Sequence, residues 1–437
     1  MKQIRHQLHQ LLIKQELIHS PKESLLDGLV ILSLALFPLL YLTSRGWTNI
    51  YVFVLFLLGI IYFALNPHSL KRSLQGSASK WITFTLCSPL LAIAISQSFR
   101  QEFSSTAFDG PSRFFLASLI FLHLKDRQIN FTKILEWVLP ISLMICLAAY
   151  FLNPSASAIW GGRAASYFVD TITFGSYTLI LGFVCLISIR INESQEHPIL
   201  SLMKLIGFLI GCYLAVKSQS RSAWTAAIGL LLYLSFIRFH KKHPVIPWGL
   251  ALLSLAGLVG IYHLSPEVHL RIVDGFNEVV SYFRSNNFDT SLGLRISMLR
   301  VAGNLILEHP LSGFKDGVIP ALNTISSIKP FYTDLLQFMI SHTGTHNEIL
   351  AQGVRSGIWG LISVFSLFFI PALIFLRNIK NPNVRINTSA ILGSSLVLGL
   401  FITSLTIQVF NLKYTSSFYA LMIASLAAQT LQSKENG

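Results

Sequence analysis

The sequence predicts an all-α, polytopic integral membrane protein with about 12 transmembrane helices and a mainly helical loop domain on its outer face, before the tenth span. Three observations predict it. Of 437 residues only 12% are charged and 52% are hydrophobic, whereas a soluble domain carries roughly 25% charged residues. Mean hydropathy is +0.59, and two or three soluble domains of this length would need charged surface that the composition does not supply. Apolar runs of about 20 residues, enough to cross roughly 30 Å of hydrocarbon, recur along the whole chain.

The runs lie at 27–44, 49–65, 81–98, 112–124, 134–152, 171–190, 199–218, 222–238, 246–263, 356–376, 387–406 and 412–431. The fourth is short, and only a few residues separate the seventh from the eighth. An even number of spans puts both termini on one side. Lys and Arg in the short connections decide which side that is. With the N-terminus cytoplasmic, 18 of them fall inside, including Lys71, Arg72, Lys80, Lys125, Arg127 and Lys133. Only 7 fall outside: Arg45, Arg100, Arg113, Arg163, Lys217, Arg221 and Lys413. Most of the formal net charge of +14 is therefore an orientation signal, and nucleic acid is not an expected partner.

Residues 1–26 are polar and amphipathic, without a short apolar core and cleavage site. They read as an interfacial cytoplasmic segment. The four cysteines, Cys87, Cys146, Cys185 and Cys212, all lie within spans and form no CxxC pair, so neither a disulfide framework nor a thiolate metal site is expected. The division that follows is a bundle of nine spans over 27–263, a cap over 264–345, and a re-entry helix with three further spans over 346–437.

The cap is too long to be a mere connector. Stretches such as VHLRIVDGFNEVVSYF and SLGLRISMLRVAGNLIL carry apolar residues at helical spacing, separated by the turns SNNFDTS and HPLSGF. Function is expected between this cap and the membrane.

Candidate chemistry gathers on that outer side. Arg221 lies in KSQSRSAW, at a tight turn just before a helix, where a guanidinium beside unpaired backbone N–H groups suits a phosphate. The alternative is an interfacial arginine snorkelling to headgroups. Arg295 lies in DTSLGLRISMLR on a helix that Asp289, Thr290 or Ser291 can cap; its plainer reading is a solvated or ion-paired helix face. Arg300 does not share its face closely and reads as structural or headgroup-binding. Arg163, in WGGRAASYF, is a weaker candidate of the same kind.

In SHTGTHNEILAQGVRSGIWG, His346 and Asn347 stand where the outer loop becomes helix. Ile349, Leu350, Gly353 and Gly357 follow on a face suited to close helix packing. A histidine here is neutral near pH 7 and can take a proton from a hydroxyl, or it can simply be structural. Glu348 is either a second base or the partner of Thr345 in a capping box. His342 and His346 are four apart, but Thr-Gly-Thr between them is no helix interior and no third ligand is evident, which argues against zinc.

Taken in order, SQSRSAW, SLGLRISM and THNEILAQGVRSGIWG, on a chain of about twelve spans with one long outer loop before the tenth, resemble the O-antigen ligase family, part of a wider group with O-antigen polymerases and O-linked oligosaccharyltransferases. The resemblance covers the span order, and its residue-level content is about 40 positions in the second half. It implies a glycosyltransferase that moves glycan from undecaprenyl pyrophosphate to a sugar hydroxyl of lipid A–core oligosaccharide, at the periplasmic face of a Gram-negative inner membrane. By motif match Arg221 and Arg295 would bind pyrophosphate and His346 would act at the reacting hydroxyl. Asn347 and Glu348 match without a firm role, and Arg163 is carried over more loosely. No cofactor is expected. Metal-dependent membrane glycosyltransferases commonly carry acidic residues in the first outer loop, whereas SRGWTN has none, so arginines would neutralise the leaving group instead.

An O-antigen polymerase, which differs only in its acceptor, is the main alternative, followed by a protein-glycosylating relative. A transporter of twelve spans would place binding groups near the midplane, whereas the suspect cations here sit on the outer side.

Overall fold

The computed structural model describes residues 21–127, 129–189, 197–239, 266–314, 321–410 and 412–432, with scattered positions between 249 and 263. Among the described residues the chain is helical and has no strand. The helices are α1 (Pro21–Leu36), α2 (Trp47–Leu65), α3 (Pro67–Ser73), α4 (Ser77–Arg100), α5 (Asp109–Arg127), α6 (Phe131–Leu152), α7 (Pro154–Ile159), α8 (Thr171–Ile187), α9 (Pro198–Lys217) and α10 (Arg221–Phe239). They continue with α11 (Pro266–Arg284), α12 (Ser291–Glu308), α13 (Asp334–Thr343), α14 (Glu348–Asn378), α15 (Val384–Ser404) and α16 (Lys413–Thr430).

Helices α2, α4, α6, α9, α14 and α15 are long and apolar enough to cross a membrane, and shorter apolar helices cover Leu25–Leu36, Thr171–Ile187 and Arg221–Ile237. The protein is thus an all-α, multi-pass membrane protein. Leu57 and Ile60 of α2, Leu202 and Leu209 of α9, and Phe369 and Leu373 of α14 stay exposed, as side chains facing lipid should.

Helix α16 is the bundle's axis. Its sequence, KYTSSFYALMIASLAAQT, is only mildly apolar, yet residues 415–430 are all buried. It packs on α5, α15, α2 and α14. A central helix gains nothing from large lipid-facing side chains, and small Ser and Ala let neighbouring backbones come close. Glycines do the same where α8 meets α9: a Cβ on Gly182 would stand 3.3 Å from the Gly211 Cα.

Three of the spans that differ from their predicted bounds do so for a visible reason. The first ends as helix at Leu36, because Pro38 opens a series of turns that lasts to α2. The fourth is not short: α5 runs the full 19 residues. Its charged ends, which a hydropathy reading trims away, are each paired. Arg113 and Lys413 both contact Asp109, Arg72 makes two 2.7 Å bonds to Asp126, and Arg127 pairs with Asp27 while lying 4.3 Å from the Tyr62 ring. The tenth begins earlier, at Glu348, and breaks at Ser356–Gly357. The predicted ninth span lies mostly outside the described residues, as do residues 1–20 of the expected interfacial segment.

One charged pair sits inside the bundle. Lys204 of α9, fully buried, lies 3.5 Å from Glu136 of α6 and donates to the Ser188 carbonyl at 2.9 Å. Charges in this position need such partners.

Between α10 and α14 the described residues of the expected cap build a core of their own. Leu294, Met298, Val301 and Leu305 of α12 meet Leu322, Phe331, Leu336 and Ile340, and Val354 of α14 completes the cluster. The first two turns of α14 therefore belong to the cap, and the rest to the bundle. At the break Gly357 has φ 58°. Phe314 N–H donates to Val354 O at 2.7 Å, Ile358 N–H donates to Pro310 O at 2.7 Å, and Arg100 donates to the Arg355 carbonyl at 3.1 Å. The cap and Arg100 of α4 together satisfy backbone groups that the broken helix leaves open. Gly357 is thus the break itself, held by the Pro310 carbonyl, and not part of a continuous packing face. Gly353 does meet Ile306 of α12, as that face predicts.

Candidate active site

The turn between α9 and α10 forms one wall. Gln219 adopts a left-handed φ of 53°, which reverses the chain within a few residues. Arg163 holds this turn from the side: its Nε donates to Ser218 O at 2.9 Å and its Nη2 to Gln219 O at 3.4 Å, while Ala164 N–H reaches Lys217 O at 3.0 Å. A guanidinium at a helix C-terminus satisfies carbonyls that the helix cannot. Ser220 donates to Ile172 O at 3.4 Å, tying the turn to the head of α8. Arg221 then opens α10, half-buried, its guanidinium lying against Gly275 of α11; a Cβ there would stand 3.4 Å from Nη1.

The opposite wall is the entry to α14. His346 has φ 51°, an unusual backbone state for a non-glycine residue that costs on the order of 1–3 kcal/mol unless its surroundings fix it. Here they do. Asn347 caps α14 by accepting from Leu350 N–H at 3.0 Å, and its Nδ2 donates to Leu405 O at 3.1 Å. Thr345 Oγ1 donates to Asn347 O at 3.0 Å. Glu348 is fully buried, accepting from Gln352 Nε2 at 2.6 Å and from Phe410 N–H at 2.8 Å. Because the cap residue is Asn347, Glu348 is the first helical residue and does not complete a capping box with Thr345.

Both walls are fastened to the same short turn after α15. Ser222, next to Arg221, is 2.5 Å from Thr406 Oγ1. Leu405, the preceding residue, holds Asn347. The third wall is α12, whose N-terminus is capped by Thr290 and by Glu278 of α11, which accepts from Leu292 N–H at 2.7 Å. Arg295 stands one turn along it, on the helix that packs against α14.

Arg295 and His346 are electrostatically in reach of one another. Burial pushes the His346 imidazole down from 6.5 to about 4, and the Arg295 cation pushes in the same direction; only the Asp170 carboxylate opposes them. At neutral pH the ring is uncharged and able to accept a proton.

The three motifs singled out in the sequence therefore converge at one end of the bundle, under the cap. Arg163 joins them as the brace of the Arg221 turn. Asn347 and Glu348 are occupied in holding the histidine's backbone. Arg300 bonds to Tyr282 at 3.3 Å and lies 4.5 Å from the Phe331 ring, inside the cap. His342 stacks on Phe338 of its own helix, centroids 4.2 Å apart, with Nδ1 2.8 Å from the Phe338 carbonyl oxygen. Asp170 is the residue that sequence reasoning missed. It accepts from the N–H groups of Ile172 and Thr173 and from Thr173 Oγ1, so in the sequence it shows only the ordinary signature of an N-cap.

Residues 206–365 match the family model described as O-antigen ligase. That span contains Arg221, Arg295 and His346, and leaves Arg163 and Asp170 outside. The chain is 26% identical over 282 residues to an O-antigen ligase of Escherichia coli, covering 62% of this chain and 64% of that protein, a little under two thirds of its length. It is also 25% identical over 385 residues to an uncharacterized protein of Haemophilus influenzae, covering 85% of this chain and 88% of that one.

Proposed function

Because the chain belongs to the O-antigen ligase family, we propose that it transfers glycan from undecaprenyl pyrophosphate to a sugar hydroxyl of lipid A–core oligosaccharide, at the periplasmic face of the inner membrane. The observation that carries this reading is that the heads of α10 and α14 are fastened to one turn under the cap, with the Arg295 cation of α12 acting on a neutral His346 beside the braced turn that presents Arg221. The donor is already activated. Its pyrophosphate leaves readily once the growing charge is neutralised, so the protein has mainly to position and stabilise.

Charge-assisted contacts contribute about 1.5–3 kcal/mol each. Two arginines gripping the pyrophosphate more strongly as it departs would then account for roughly two to four powers of ten in rate. His346 takes the acceptor proton as the hydroxyl oxygen attacks the anomeric carbon opposite the leaving group, and displacement in one step inverts that centre. The arginines do what a divalent cation does in other glycosyltransferases, so transfer is expected to proceed in the presence of a chelator. The lipid tail of the donor lies among the spans, and the cap admits the hydrophilic acceptor from the side.

A deletion strain separates ligation from polymerisation. The expected phenotype is a full O-antigen ladder on the lipid carrier with bare core on lipid A. Core carrying a single repeat would instead identify a polymerase and overturn the reading.

A further inference from the structure

We propose that α11 is an interfacial helix: the stripe formed by Ile272, Phe276, Val279 and Phe283 docks into the surface of the bilayer, on the side where the turn between α9 and α10 lies. The partner is membrane lipid, so the inference stands apart from the transfer reading above.

Helix α11, PEVHLRIVDGFNEVVSYFR, has the most one-sided apolar pattern among the described helices. Ile272, Phe276, Val279 and Phe283 follow one another at intervals of 4, 3 and 4 residues, which puts them on one face. Ile272 is 47% exposed and Phe276 and Phe283 are each 70% exposed, so that face is left uncovered by the described protein. At about 100° per residue, the face turned to the protein lies roughly a quarter turn away. There Gly275 and Tyr282 are buried, and Tyr282 Oη accepts from Ser297 of α12 at 3.3 Å. A stripe carrying two exposed phenylalanines beside such a face is a surface made to be covered.

Two contacts set the height of α11. Tyr262, at the end of the predicted ninth span, lies against His269 near the start of α11, ring centroids 4.5 Å apart. Six residues on, about 9 Å along the axis, Gly275 meets the Arg221 guanidinium at the head of α10. The turn before Arg221 joins α9, which is long and apolar enough to cross a membrane, to the apolar stretch Arg221–Ile237, so it marks a membrane surface. Arg163, the brace of that turn, is flanked in sequence by Trp160 and Tyr167, 37% and 55% exposed, residues of the kind that gather at the membrane–water boundary. A helix tied at two points of one height runs along that boundary and not away from it. Amphipathic helices so placed sink their apolar face about 5–10 Å into the boundary between headgroups and acyl chains. Because α11 packs on α12, its docking also sets the height of Arg295 relative to the membrane.

The test uses the full-length protein in nanodiscs of phosphatidylethanolamine and phosphatidylglycerol, doped with a phospholipid that carries a diazirine near the top of its acyl chain. After irradiation, adducts are mapped by mass spectrometry. No lipid-linked donor is present, so adducts report bilayer lipid alone, and exposed Leu57 and Ile60 of α2 serve as the positive control. Wild type should carry adducts on the stripe of α11. Phe276→Asp, which sets a charge in the stripe, should cut them at least about fivefold, and Phe283→Asp should do the same from the other end. Asn277→Asp, at an exposed polar position next to the stripe, should leave them unchanged. An α11 without adducts in wild type whose α2 is labelled overturns the proposal, because the stripe then faces water or a second copy of the chain. So does labelling that Phe276→Asp and Phe283→Asp leave intact, or that Asn277→Asp reduces equally.

Discussion

At the scale of single residues, the proposed site is a set of cations and a neutral imidazole whose surroundings are already committed. The neighbours of His346 in sequence look chemical but serve the backbone: Asn347 caps, and Glu348 holds Phe410. Arg221 was legible because a tight polar turn between two apolar runs is an unusual place for a guanidinium. Asp170 was not, because an aspartate ahead of Thr-Ile-Thr reads as a helix cap, and the influence of its charge on His346 depends on what folds across from it. The sign of the His346 shift gives a prediction. Removing the Arg295 cation in Arg295→Gln takes away one of the two influences that lower the ring, so the acid limb of kcat/KM should move up from about 4 towards 6.5, while the rate on the plateau falls. A pH–rate profile in which the limb stays put or moves down would show that Arg295 does not act on His346.

At the scale of elements, apolar length located the spans well, and it failed where polar groups are satisfied by partners. Helix α5 was trimmed because its paired charges count against it, and α1 was extended past a proline. The break in α14 left one mark, Gly357 in RSGIWG, yet only the folded cap explains it, because Pro310 and Phe314 take over the broken helix's hydrogen bonds. Gly357→Ala should therefore be costly: it needs φ 58° and its Cβ would collide with the Pro310 carbonyl oxygen. A loss of about 1–3 kcal/mol is expected, seen as a lower thermal midpoint in detergent together with increased protease sensitivity of the cap. An alanine variant as stable as wild type would mean that cap and bundle are not joined through this break.

At the scale of the whole molecule, the low charge fraction reports the membrane bundle, and the positive excess in the connections is the basis on which its orientation is expected. The expected orientation puts the cap outside. In cells with a permeabilised outer membrane, a membrane-impermeant thiol reagent should label Asn286→Cys in the cap and spare Lys380→Cys at the far end of α14; the opposite pattern would invert the topology and remove the site from the periplasm. Given that orientation, the bundle fastens the heads of α10 and α14 to a single turn at residues 405–406 while α12 packs on α14, a convergence that no one motif announces. The most direct measurement of its purpose is transfer by purified protein from lipid-linked donor to lipid A–core. Wild type should form the product, and His346→Ala, folded to the same thermal midpoint, should lose about 10²–10⁴-fold in rate. A His346→Ala protein that transfers at the wild-type rate would contradict the account.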